Sequence, residues 1–309
     1  MQRRVARIFL GPVPAALALL ALATAARAQL YLASDGTSNV ITEYTNTGSP
    51  VHPLTSPLDS GLGVPQGITY TGGELYVADT SGVGEYSATV PNSGTASFIS
   101  LTTSAVSIAS SGSDLFVGVP GGSVFAYTTG GTALAGFTAI TGLGSGDVTL
   151  ALSGSDLFVA DNSGTGLLKE YSATSGALLN TFSSPTSNPR GVAVVGSNLF
   201  VTNPTAGTGE VLEYSIGSPG QSPTDVAITA ATGIAAYGGN LYVLSNNASA
   251  PNSVTEYIPG GGTSVLVTGL PTNTYESLVV IPEPTAIAAI LGLFAFACAL
   301  LRYRSPASV

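Results

Sequence analysis

The sequence holds no tryptophan, one cysteine, one histidine and one methionine, and only 8% of its 309 residues are charged. Each shortage removes a class of protein. One cysteine cannot close an internal disulfide or build a cysteine-based zinc site. One histidine excludes the paired-histidine helix of the metalloproteases. Eight Lys+Arg against seventeen Asp+Glu give a net charge of −9, too few cations to neutralise phosphates, so a nucleic-acid partner is excluded. A charged disordered chain is excluded as well, because charge is scarce and 44% of residues are hydrophobic. No Gly-x-Ser-x-Gly, Gly-x-Gly-x-x-Gly or P-loop stretch occurs. What is abundant is glycine, at 39 residues, among short β-branched runs, which points to an all-β chain.

The two ends differ from the body. The start carries Arg3, Arg4 and Arg7, then an apolar run from Ile8 to Ala26, then Ala26-Arg27-Ala28 before Gln29. A basic start, apolar middle and small-x-small exit predict a secretory signal peptide over 1–28, cut between Ala28 and Gln29. A retained membrane anchor is the alternative, weakened by Gly11, Pro12 and Pro14. At the other end Pro282-Glu283-Pro284 precedes an apolar run from Ala286 to Leu301, then Arg302-Tyr303-Arg304. Sixteen helical residues at about 1.5 Å each span about 24 Å, short of a ~30 Å hydrocarbon core unless flanking residues snorkel. A transmembrane helix over 286–301 with arginines beyond it keeps the tail cytoplasmic and the body on the exported side. Both ends thus predict export.

Residues 282–309 resemble the PEP-CTERM sorting signal, carried here by Pro282, Glu283, Pro284, the short apolar run, Arg302 and Arg304. The resemblance implies recognition by an exosortase, a membrane-embedded transpeptidase, and a place in exopolysaccharide or biofilm systems. It implies anchorage in the inner membrane before processing and a cell-surface or extracellular location afterwards. A plain C-terminal anchor is the alternative. Between the ends, residues 29–281 keep only Lys169 and Arg190 against sixteen acids, a net charge of −14.

This body repeats. Leu30-Tyr31-Leu32-Ala33, Leu75-Tyr76-Val77-Ala78, Leu115-Phe116-Val117-Gly118, Leu157-Phe158-Val159-Ala160, Leu199-Phe200-Val201-Thr202 and Leu241-Tyr242-Val243-Leu244 are one motif, with leading leucines 45, 40, 42, 42 and 42 residues apart. A second motif follows in step, ending at Tyr44, Tyr86, Tyr127, Tyr171, Tyr214 and Tyr257, and in five copies that tyrosine follows a glutamate. A third, such as Pro65-Gln66-Gly67-Ile68 or Pro189-Arg190-Gly191-Val192, precedes the first. Three strands and room for a weaker fourth in about 42 residues is the size of a propeller blade. The Leu-Tyr-Val-Ala strand is apolar on both faces, so it must be covered on both faces, which stacking between neighbouring blades provides.

The reading is therefore an all-β, six-bladed propeller over 29–281. Its blades run about 64–104, 105–146, 147–188, 189–232 and 233–274. The sixth joins 275–281 to 29–63, so that the final strand completes the N-terminal blade. An open β-solenoid is the alternative. The repeats resemble NHL-type blades, most clearly over 65–86 and 189–214. That resemblance specifies a fold more than an activity, since such propellers host lactonases, receptors and pure binding modules.

Candidate chemistry is sparse. His52 sits in a turn-like Pro50-Val51-His52-Pro53, and Cys298 sits in the apolar C-terminal run. Four second strands end at Asp35, Asp79, Asp161 and Asn203, with Val119 and Ser245 breaking the series. Topology puts these on the face where first strands begin, together with Gln66 and Arg190. Two uses of the acids stand open: Asx-turns that shape loops, or ligands of a Ca²⁺ ion at the channel mouth, as in the gluconolactonase-like propellers. The Glu-Tyr glutamates read as strand or edge residues away from the axis. The leading expectation is a non-enzymatic surface or matrix module without a cofactor. The alternative is an exported, metal-dependent lactonase-like hydrolase.

Overall fold

The computed structural model describes residues 28–34, 39–45, 48–51, 62–88, 90, 93–163, 166–182, 188–203, 210–246, 252–270 and 275–282. The leader before Ala28, the sorting residues Glu283, Pro284, Arg302 and Arg304, the run 286–301, Asp35 and His52 lie outside them. The described residues form strands and connecting turns, with no helix.

The chain opens with β1 (Ala28–Ser34) and β2 (Val40–Thr45). The first full blade is β3 (Gly67–Thr71), β4 (Glu74–Asp79), β5 (Gly82–Ser87) and β6 (Gly94–Ser100). The second is β7 (Ser107–Ser111), β8 (Asp114–Val119) and β9 (Ser123–Thr128). The third is β10 (Val148–Ser153), β11 (Asp156–Asp161), β12 (Leu167–Ser172) and β13 (Leu178–Thr181). The fourth is β14 (Gly191–Val195), β15 (Asn198–Asn203), β16 (Glu210–Ser215) and β17 (Thr224–Val226). The fifth is β18 (Ala231–Tyr237), β19 (Asn240–Ser245), β20 (Asn252–Tyr257) and β21 (Thr263–Leu270). The last strand, β22 (Tyr275–Pro282), pairs with β1, and the order β2-β1-β22 makes the sixth, closing blade. Every other sheet is an antiparallel meander in chain order.

Local chemistry sets the meander. The first two strands of a blade meet through a two-residue turn, as Thr71 pairs with Glu74 and Ser111 with Asp114. The first turn residue has positive φ, +66° at Gly72 and +56° at Gly112, which only glycine adopts without strain. The second blade lacks a regular fourth strand. Isolated bridges from Val124 to Ile140 and Tyr127 to Ala133 cover its edge instead.

The second strand of each blade is the core. In β4 every residue from Leu75 to Asp79 is buried, and β8, β11, β15 and β19 repeat the pattern. Side chains on both faces of these strands fill the spaces between blades. Phe158 and Ala160 of the third blade share a cluster with Val192, Val201 and Tyr214 of the fourth. Within it Phe182 lies 6.2 Å from Phe158 and 6.0 Å edge-on to Tyr214, linking the two blades. Fourth strands face outward: all of β13 is exposed.

The ring closes on both sides of the sixth blade. Tyr31, Ala33, Ile41 and Ile281 pack with Ile68, Leu75 and Val77 of the first blade. The Tyr31 hydroxyl donates to the Ala88 carbonyl at 2.9 Å. On the other side Gly48 lies against the Leu266 carbonyl of β21. Polar ties also cross between blades: the Thr69 and Ser110 hydroxyls bond at 2.8 Å, and the Thr202 hydroxyl donates to the Thr232 carbonyl at 2.7 Å.

Candidate functional site

Six strands, β3, β7, β10, β14, β18 and β22, each end a sheet and bond to one neighbour only. Residues of all six line one cavity of about 340 Å³, so this cavity is the axial channel of the ring. Its wall is made of strand edges whose outward N–H and C=O groups have no ladder partner, which makes the channel polar. Gln66 and Arg190, placed on this face by the topology, both line it. Their own backbone N–H groups bond to the second strands, Gln66 to the Ala78 carbonyl at 2.9 Å and Arg190 to the Thr202 carbonyl at 3.0 Å. Asp147, Asn162, Ser107 and Thr149 line it too. The sequence reading did not single these out. The signal was available, because Ser107 and Thr149 pair with Gly118 and Ala160 just as Gly67 pairs with Ala78.

The punctuating acids do something else. Asp79 is fully buried, accepts the Ser81 N–H at 2.6 Å in an Asx-turn, and accepts the Gly63 N–H at 3.1 Å. Gly63 belongs to the loop that leads into β3, so one carboxylate shapes its own turn and ties down the inter-blade loop. Asn203 repeats this, accepting the Asn188 N–H at 3.3 Å while its amide donates to Glu210 at 3.3 Å. Asp161 accepts the Ser163 hydroxyl at 2.9 Å on one oxygen, and its other oxygen is buried without a partner. Neither aspartate nor Asn203 lines the channel. Among the described residues no three His, Cys, Asp or Glu side chains converge.

The Glu-Tyr glutamates face inward more than an edge position would. Glu43 and Glu170 are buried. Each glutamate stands opposite an aromatic of the second strand, as Tyr76 with Glu85, Phe158 with Glu170, Phe200 with Glu213 and Tyr242 with Glu256. In two of the tyrosine pairs the hydroxyl donates to the carboxylate, from Tyr76 at 2.8 Å and from Tyr242 at 3.0 Å, whereas Tyr31, opposite Glu43, donates to the Ala88 carbonyl and Glu43 accepts from the Gln29 amide. Amides donate as well, Asn180 to Glu170 at 2.7 Å and Asn198 to Glu213 at 2.5 Å opposite phenylalanines, and Asn240 to Glu256 at 2.7 Å beside the Tyr242 hydroxyl. Where the glutamate is replaced by Ala126, Phe116 stands opposite. The glutamates therefore serve the packing of the blades, because a part-buried carboxylate must accept hydrogen bonds.

Burial, reinforced by the Glu256 hydrogen bond and charge, pushes the Tyr242 hydroxyl from its usual 10.0 up to about 12. Burial pushes Tyr214 up to about 12 as well, with the Glu210 charge adding to it. Burial, again with a neighbouring glutamate, raises Tyr31 and Tyr76 in the same direction. A raised folded value means the tyrosines' share of stability is complete below pH ~10, the unfolded value, and is lost as pH rises from there through the folded value. The melting temperature is therefore expected to fall steeply between pH ~10 and ~12. Tyr242→Phe should flatten part of that fall in melts followed by circular dichroism. A melting temperature constant up to pH ~12 contradicts it.

No protein-family model matches the chain, and no curated protein matches it. Solved structures do. A chain from a nidogen/laminin complex is 14% identical with a TM-score of 0.60, covering 82% of this chain and 98% of that one. The WD40 β-propeller domain of Doa1 is 10% identical with a TM-score of 0.56, covering 84% and 81%. The computationally designed Ika8 protein is 13% identical with a TM-score of 0.50, covering 80% and 72%. These likenesses are of fold alone.

Proposed function

We propose that this is an exported cell-surface or matrix protein whose propeller is a binding or structural module. Its C-terminal segment is handed to an exosortase-type transpeptidase, linked to exopolysaccharide. The observation that carries the module reading is the use made of the recurring acids. Asp79 and Asn203 are taken up by loop tethers, and the Glu-Tyr glutamates by packing, while the open axial channel offers a polar wall. Export and sorting rest on the sequence of the two ends, the basic-apolar-small start and the Pro282-Glu283-Pro284 tail.

The test is intact-mass analysis of the mature protein from its host, with both termini mapped. A body starting at Gln29 and ending near Pro284 is the expected result. An N-terminus at Met1, or a C-terminus still carrying 286–301, defeats the sorting reading. The lactonase-like alternative keeps one supporting observation, the unpartnered buried oxygen of Asp161. A hydrolase of that type requires lactone turnover that stops on chelation of Ca²⁺. A calcium-dependent rise in melting temperature without turnover assigns any cation a structural role.

A further inference from the structure

The body has two basic residues, and one of them, Arg190, lines the axial channel and is exposed there. Around it the lining offers amides from Gln66 and Asn162, hydroxyls from Ser107 and Thr149, and one carboxylate from Asp147. We propose that this channel mouth binds a small polyhydroxylated carboxylate, a molecule of the sugar-acid class, with Arg190 holding the carboxylate. The proposal rests on the reading of the propeller as a binding module and is independent of export and sorting.

The chemistry of the wall selects the class. Strand-edge N–H and C=O groups need partners that both donate and accept, which ligand hydroxyls do. An apolar ligand would strip them of water and leave them unpaired, at about 1–3 kcal/mol each. A hard cation needs roughly six to eight oxygens and prefers more than one carboxylate, whereas among the described lining residues Asp147 is the one carboxylate. A densely charged anion is repelled by a body of net charge −14. One carboxylate suits one guanidinium, whose planar fork matches it in two parallel hydrogen bonds. The volume of about 340 Å³ sits at the low end of ligand pockets, which fits a single small metabolite.

The experiment uses the full chain in mild detergent, titrated calorimetrically with D-gluconate. Glucose supplies hydroxyls without charge, acetate charge without hydroxyls, and inorganic phosphate an unrelated anion. Gluconate should bind, with the three controls weaker by at least ~10-fold, as the loss of a charged hydrogen-bonded contact requires. Arg190→Gln should weaken gluconate by about 10- to 100-fold. Arg190→Lys should fall between, keeping charge and losing the fork. Lys169→Gln, on β12 away from the channel lining, should bind as the parent does. The proposal is overturned by gluconate that fails to bind, by phosphate or acetate binding as tightly, or by Arg190→Gln leaving affinity intact. Should Arg190→Gln lower the melting temperature, Arg190→Lys and the ligand panel on the parent chain still decide. Mapped ends that match the sorting reading alongside absent gluconate binding would sink the ligand class and spare the exported module.

Discussion

Truncation after Leu270, which removes β22, is expected to abolish the cooperative melt of the propeller, whereas truncation after Pro282 should preserve it. The strand contributes Leu278, Val280 and Ile281, all buried. At roughly 1.5–3 kcal/mol per buried apolar side chain, their loss alone amounts to about 5–9 kcal/mol. That rivals the whole stability of a typical domain, about 5–15 kcal/mol. The loss also bares one edge of β1, whose ladder groups then lie open inside the ring. Among the described residues no other blade draws a strand from the far end of the chain. Circular dichroism melts of the two truncations decide it. A sharp transition within a few degrees of the parent in the shorter one would show that β22 is dispensable.

Gly67→Val should destabilise by about 3 kcal/mol, the upper part of the range for overpacked interiors. A Cβ at Gly67 would stand 2.9 Å from the Ser107 Cα and 3.0 Å from the Ile108 N, both backbone atoms of the neighbouring blade. Backbone in a packed strand cannot swing aside as a side-chain tip can. Gly191 repeats the situation, with the Thr232 carbonyl 3.0 Å and the Ile234 Cγ2 3.0 Å from the added carbon. By contrast Gly217 has open space within 4 Å and no positive φ, so Gly217→Ala should leave stability within about 0.5 kcal/mol. Urea denaturation of the three chains, compared by midpoint at equal slope, checks the pair. Equal midpoints for Gly67→Val and Gly217→Ala would refute the close-packing account.

The glycine of the Pro-x-Gly element was visible in the sequence, but its reason was not. Periodicity places Gly67 and Gly191 at the start of first strands. Only the approach of the next blade shows why no side chain fits there. The aspartates behaved the same way. Their recurrence after several second strands left two uses open, a turn or a metal. The hydrogen bonds from Gly63 and Ser81 to Asp79 give it the turn, and add a loop tether that spacing alone could not reveal. The partner of each glutamate was half legible. Register puts Glu256 opposite Tyr242 and Glu213 opposite Phe200, yet both carboxylates also accept from an amide at the start of the second strand, Asn240 and Asn198, which the Glu-Tyr spacing did not show.

What the amino-acid sequence determined alone was the count and kind of the units. Six copies of a strand apolar on both faces can hide those faces only against one another, so the number of blades and their stacking follow from pattern and the hydrophobic effect. The turns between first and second strands were legible too, since a glycine between two short apolar runs suits the positive φ that a two-residue hairpin requires. Tertiary structure decided the rest. It chose which polar groups face the axis, because a channel exists only once six separate strand edges meet around it. Asp147 and Asn162 meet locally, the Asn162 N–H donating to the Asp147 carbonyl at 2.9 Å beside the paired β10 and β11, but Arg190 belongs to the next blade and no local spacing brings it to them. Closure of the ring does.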